Sequence, residues 1–127
     1  MAAHAFPKVE RLKSRKIITT LFDKNQSKSF SQYPMRVVWI ENDVVPQSVQ
    51  VAFSVPKRAF KRAVDRNRIR RMMSEAYRLH KTPLYEGLAE RTPNYSLMLI
   101  YVAKEILPYT TIEESMRSLI RRFVKFS

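Results

Sequence analysis

The sequence predicts an α+β fold, a small mixed sheet of about four strands packed with three helices. Three observations carry that prediction. Apolar residues recur at helical spacing in three stretches, alternate at period two in another, and form one continuous run near residue 100. Taken along the chain, these segments read α-β-β-α-β-α, with an extra short strand expected near Lys28 to Ser31. The 127 residues, 45% of them apolar, have the size of one domain that can bury a core. Residues 1–127 are therefore read as a single domain, with 1–10 as a loosely held, proline-interrupted tail.

The first helix is expected within RLKSRKIITTLFDKN. There Ile17, Ile18, Leu21 and Phe22 form one apolar stripe, Ser14 suits the N-cap, and Asn25 tolerates a left-handed ending. Ser29 to Ile40 turns strand-like at Val37, Val38, Trp39 and Ile40. In Ser48 to Val55, Val49, Val51, Phe53 and Val55 alternate with smaller or polar residues. A turn at Glu41-Asn42-Asp43, with Pro46, suggests that these two strands pair antiparallel. Pro56 ends the second of them and leads into a long basic helix. Residues 81–94 contain Pro83, Gly87 and Pro93, and form a loop or a short irregular helix. The run Tyr95 to Ala103 reads as a strand buried on both faces. A last helix then opens on Thr111 and Glu114 as a T-x-x-E capping box and carries Ile112, Met116, Leu119, Ile120, Phe123 and Val124 at helical spacing.

Charge is distributed unevenly over this plan. Lys57 to Lys81 holds ten Lys and Arg against two acids, Asp65 and Glu75, in a chain of net charge +13. On a helix, Ile69, Met72, Met73, Ala76 and Leu79 share one stripe, while Asn67, Arg71, Ser74 and Arg78 line another. Solvated helices usually mix signs so that Glu and Lys support each other at i, i+4, and here only Arg71 and Glu75 have that spacing. The other guanidinium groups repel one another unless a polyanion relieves them, and arginine suits planar, bidentate phosphate recognition. A pI near 10.4 points the same way, to nucleic acid or an acidic membrane surface.

Several function classes fall away. The chain has no cysteine, so disulfides and thiolate-bound zinc are excluded. No apolar run reaches the roughly 20 residues of a membrane span or resembles a secretory signal, so a cytoplasmic protein is expected. One glycine, Gly87, leaves no glycine-rich phosphate loop. His4 and His80 are isolated in sequence, and the adjacent acids Glu113 and Glu114 are explained by helix capping. Protein-borne catalysis by a nucleophile or a metal cluster is not expected. Binding through Arg and Lys to phosphate, with aromatics for stacking, remains.

The run Ala63-Val64-Asp65-Arg66-Asn67-Arg68-Ile69-Arg70-Arg71, with Glu75, Ala76 and Arg78 after it, resembles the A-V-x-R-N-R-x-[KR]-R signature of the bacterial ribonuclease P protein component. Arg11-Leu12-Lys13, Phe22, Phe53-Ser54-Val55-Pro56-Lys57-Arg58, YSLMLIYVA and the closing helix extend the resemblance over nearly the whole chain. Two loops depart from the family pattern. Ala59-Phe60-Lys61-Arg62 replaces a shorter glycine-containing link, and Asn25 stands where relatives have glycine.

The resemblance implies the protein subunit of a ribozyme. The RNA subunit cleaves precursor tRNA with Mg²⁺, and the protein binds that RNA and the 5′ leader. It further implies a fold like the second domain of ribosomal protein S5, with the arginine-rich helix in a left-handed β-α-β crossover that departs from the usual hand. Arg62, Arg66, Asn67, Arg68, Arg70, Arg71 and Arg78 would bind the RNA subunit. Ile18, Phe22, Trp39 and Lys57 would form the leader cleft, the first two from the helix, Trp39 from the facing strand and Lys57 holding phosphate. No protein-held metal is implied, and the protein is expected to be monomeric apart from the RNA. The rival reading from composition is a ribosomal or general structured-RNA-binding protein with no part in tRNA processing. A DNA-binding module would need a helix-turn-helix pair that the strand pattern lacks. A membrane-surface helix would need the apolar stripe that the core uses.

Overall fold

The computed structural model describes residues 6, 10–23, 26–41, 49–88 and 94–126. Helix α1 (Arg15–Leu21) begins where the sequence places it, with the Ile17 N–H donating to Ser14 Oγ at 3.3 Å. Its C-cap, Phe22, is right-handed, and Asn25 lies outside the described residues. Strands β1 (Lys28–Gln32) and β2 (Met35–Glu41) then form an antiparallel hairpin, so the stretch from Ser29 to Ile40 is two strands turning at Tyr33 and Pro34. Strand β3 (Val49–Ser54) leads to α2 (Ala63–His80), α3 (Thr82–Leu88), β4 (Tyr95–Tyr101) and α4 (Tyr109–Phe126). Among the described residues the fold is α+β, with four helices and a four-stranded mixed sheet.

The expected pairing of β2 with β3 is corrected by the strand order β1-β2-β4-β3. Strand β4 lies between them, antiparallel to β2 and parallel to β3, so the two run in opposite directions without hydrogen bonding to each other. The turn residues 42–43 and Pro46 lie outside the described residues. A strand with neighbours on both edges and covered on both faces needs side chains that are apolar at every position, not at every second one. YSLMLIY meets that need at every position but Ser96, and all its residues but Ile100 are buried.

Two further boundaries differ from the sequence reading. Residues 82–88 form a regular helix, α3, with Pro83 in its first turn, where a missing N–H costs nothing. Its Gly87 permits close approach to α4, because a Cβ there would meet Val124 Cγ1 at 2.6 Å. The last helix begins at Tyr109, not at a Thr111 cap. The N–H groups of Thr111 and Ile112 both donate to the Pro108 carbonyl, placing Thr111 inside the first turn.

The sheet divides the apolar residues into two clusters. On one face Met35, Val37, Trp39, Val51, Leu97, Leu99 and Tyr101 meet Ile69, Met73, Ala76 and Tyr77 of α2 and Ile112, Met116, Leu119 and Phe123 of α4. Each such side chain, fully buried, contributes about 1.5–3 kcal/mol relative to exposure. On the other face α1, through Ile17, Ile18 and Leu21, covers Val38 and Met98 together with Leu12 from the segment ahead of it.

Of residues 1–10 the structure describes Phe6 and Glu10. Phe6 packs edge-on against Phe53 and Tyr77. Glu10 and Lys81 form a buried ion pair at 2.6 Å, and the Leu12 N–H donates to the Val51 carbonyl. Burial holds the phenols of Tyr77 and Tyr85 well above the ordinary tyrosine range, so both stay protonated beside that pair. Their hydroxyls lie 3.2 Å apart.

Candidate RNA interface

Helix α2 turns Ile69, Met73, Ala76 and Tyr77 into the core, which fixes the direction of everything else on it. Arg62, Asn67, Arg68 and Arg71 are exposed, while Arg66, Arg70 and Arg78 are half-exposed. Their roles separate by what each guanidinium touches. Arg66 Nη1 donates to the carbonyls of Phe60 and Lys61 at 2.7 and 2.8 Å, tying down the link that leads into the helix. That link is the one lacking the family glycine, and Phe60 within it is buried against Tyr101. Arg66 is thus a structural clamp on its inner side.

Other cations are partly neutralised. Arg70 donates to Asn67 Oδ1, which orients both side chains along the exposed face. Arg62 approaches Asp65 at 3.9 Å. Glu75 pairs with Arg78, three residues on, and not with Arg71 as the i, i+4 spacing suggested. The Arg78 guanidinium holds the Glu75 carboxyl below the usual carboxylate range. Arg68 and Arg71 are left exposed with no partner among the described residues, so their donors are available to a polyanion.

His80 Nε2 lies 2.8 Å from Glu113 Oε2, fastening the end of α2 to α4. Its neighbours are Tyr109, which donates to the same carboxylate, and Arg117, whose charge acts with His80 to hold Glu113 below the usual range. His4 lies outside the described residues. Among the described residues no three His, Asp or Glu side chains are grouped so as to hold a metal ion.

The second candidate surface is the sheet face that α1 leaves open. A cleft of about 250 Å³ is lined by Leu21, Phe22, Ser27, Ser29, Arg36, Val38 and Ile100. Phe22 is 59% exposed, although it follows directly on a helix whose other apolar residues pack inward. Ile18 sits beside this cleft, half-buried in the cluster over Val38 and Met98. Arg36 Nη2 donates to Ser29 Oγ at 3.0 Å across the β1–β2 hairpin.

Trp39 does not join them. Strand alternation sends it to the opposite face, where it stacks edge-on between Phe30 and Phe123 and is 6% exposed. The side chains that β2 offers to the cleft are Arg36 and Val38. Lys57 is exposed on the turn after β3 and does not line this cleft. The next residue, Arg58, lines a separate depression with Pro56, Ala59, Tyr101, Val102 and Lys104. Arg36, Ser29 and Ile100 were not singled out by the sequence. The alternation of Arg36 and Val38 against Val37 and Trp39 contained the signal, but the β1 hairpin that completes the wall had to be paired first.

Arg122 joins layers of the fold. It donates to the Ser31 carbonyl and Gln32 Oε1 at 2.7 and 3.0 Å, with its guanidinium 4.3 Å from the Phe30 ring centre.

The chain is similar to known proteins over most of its length. Residues 6–124 match the family model described as Ribonuclease P. A ribonuclease P protein component from Porphyromonas gingivalis is 42% identical over 118 residues, covering 90% of this chain and 83% of the relative. One from Borreliella burgdorferi is 33% identical over 114 residues, covering 87% of each. The fold is similar to the RNase P protein of Staphylococcus aureus, with a TM-score of 0.68 at 20% identity over 90% of this chain and 94% of that one. It is similar also to the Thermotoga maritima protein, again at 0.68 and 20% identity, covering 89% and 96%.

Proposed function

The chain belongs to the ribonuclease P protein family, whose members are subunits of the holoenzyme that processes tRNA 5′ ends, and from that premise we propose how its two surfaces divide the work. The α2 face binds the RNA subunit. Arg68 and Arg71 meet its phosphates directly, with Arg62, Asn67, Arg70 and Arg78 extending the contact and Arg66 holding the helix entrance. The α1 cleft takes the 5′ leader of precursor tRNA, a base stacking on Phe22 with Ile18 beside it. Lys57 and Arg58 hold phosphate where the strand leaves the cleft. Trp39 supports the cleft from beneath as core.

The observation that carries this division is the difference in character between the surfaces. Folded RNA presents dense phosphate, and each neutralised charge releases counterions and steepens salt dependence. A single strand presents base faces, and stacking one on an aromatic is worth about 1–3 kcal/mol with little sequence preference. An exposed arginine face suits the first. An exposed phenylalanine over an apolar floor suits the second.

Cleavage belongs to the RNA subunit, with Mg²⁺ held mainly by that RNA. Among the described residues no three His, Asp or Glu side chains are grouped so as to hold such an ion. The protein is inactive alone and a monomer apart from the RNA. It is one domain and works in the cytoplasm; no helix among the described residues is long and apolar enough to cross a membrane. The β3–α2–β4 connection is taken to be the left-handed crossover of an S5-domain-2-like fold. That reading rests on the resemblance and on the parallel pairing of β3 with β4.

The test is cleavage of leader-bearing precursor tRNA at low Mg²⁺ by a bacterial ribonuclease P RNA, with and without this protein, and by the protein alone. Stimulation only when both are present is expected. Cleavage by the protein alone, or no stimulation of a cognate RNA, would overturn the proposal.

A further inference from the structure

We propose that Arg36 determines specificity in the cleft, reading the O6 and N7 edge of a guanine in the bound strand. The inference rests on the leader-binding reading of the cleft and adds a base preference to it. Among the described residues that line the cleft, Arg36 is the one cation, and the others are apolar or carry hydroxyls. Val38 and Ile100 make an apolar floor, and the exposed Phe22 ring stands at its side. Such a floor favours a desolvated base over a phosphate, whose better site is the solvated arginine face of α2.

The guanidinium is also held in place. Arg36 is the second residue of β2, paired there with β1 on one side and β4 on the other, and Ser29 Oγ accepts one of its five N–H groups. A free arginine loses rotamer freedom on binding, and one already tied to a neighbour loses less, so its remaining donors are pre-aimed. Those donors form a fork with no acceptor. Guanine presents two acceptors side by side at matching spacing, whereas adenine places a donor beside N7 and is rejected. Stacking on Phe22 alone would tolerate any base, so discrimination falls to the one side chain in the cleft with directional chemistry.

The experiment uses the reconstituted holoenzyme and precursor tRNAs carrying each of the four bases at each leader position in turn. The wild-type protein is expected to favour guanine at one position by roughly tenfold in kcat/KM, the lower part of the range for a bidentate contact. Arg36→Ala should abolish that preference and leave affinity for the RNA subunit unchanged, which also shows that the variant folds. Replacing the favoured guanine by 7-deazaguanine should cost the wild-type protein most of the preference and cost Arg36→Ala nothing. Equal losses by Arg36→Ala on all four bases would assign Arg36 to phosphate and overturn the proposal. So would a wild-type protein indifferent to base at every position. The underlying reading fails separately, and visibly, if the wild-type holoenzyme binds leaderless and leader-bearing tRNA equally.

Discussion

The two faces of the sheet are covered to different extents. Against one, α2, α3 and α4 bury Trp39, Leu97, Leu99 and Tyr101 together with their own apolar stripes. Against the other, the seven residues of α1 cover Val38 and Met98 and leave Phe22, Arg36 and Ile100 at an open cleft. Aromatic residues show what the difference means. Phe123 and Trp39 sit edge to face with no exposure to lose, so their energy goes into folding. Phe22, more than half exposed, leaves its apolar surface open, where the proposed leader strand would stack. The two faces thus place aromatics in different settings, one closed and one open.

Substituting one aromatic on each face separates those roles most sharply. Phe123→Ala should cost about 3–5 kcal/mol of stability, seen as a large drop in the denaturant midpoint. Phe22→Ala should shift stability by about 0.5 kcal/mol or less and weaken binding of leader-bearing precursor tRNA by about tenfold or more. A stability loss at Phe22 comparable to that at Phe123 would erase the distinction.

The same division runs through α2. Arg66→Ala removes a guanidinium from two carbonyls and should destabilise the protein by about 1–3 kcal/mol in thermal or denaturant unfolding. Arg68→Ala with Arg71→Ala should leave unfolding unchanged, lower RNA-subunit affinity, and reduce the slope of log affinity against log salt by about two. An unchanged slope would remove these two residues from the interface.

The smallest effect concerns the fastening of α2 to α4. His80 lowers the Glu113 carboxyl, so Glu113 stabilises the fold fully above the ordinary carboxylate range, and the contribution is lost as pH falls through the lowered value. Stability of the wild-type protein should fall more steeply than that of Glu113→Gln between about pH 5 and pH 3. Parallel curves would show that the pair does not couple to folding.

Local signals in the sequence located most elements. Ser14 capped α1, the R-N-R run was helical, and YSLMLIY was the doubly buried strand. The misreadings share a cause, since each depended on a partner distant in sequence. The turn between β2 and β3 looked like a hairpin because nothing nearby reveals that β4 inserts between the two strands. Trp39 was assigned to the cleft because its face is set by pairing along the whole sheet. Thr111 and Glu114 have the spacing of a capping box, but Pro108 starts the helix sooner. Arg66 belongs to the signature run, and its inward contacts depend on how the Phe60 link folds back. The residue types on the two candidate surfaces were legible, and the face each residue occupies was not.

The position of β4 in the sheet carries one more consequence, for the order in which the protein is made. It is the last strand in chain order and the one that joins β2 to β3. While the chain is being synthesised from its N-terminus, α2 emerges before the strand that completes its sheet and before α4, its main helical neighbour. The β1–β2 hairpin can form early but is marginal alone. During that interval Ile69 and Met73 lack the β4 and α4 side chains of their core cluster. The arginines on the other side of that helix carry like charge, which disfavours association between unfinished chains over that interval.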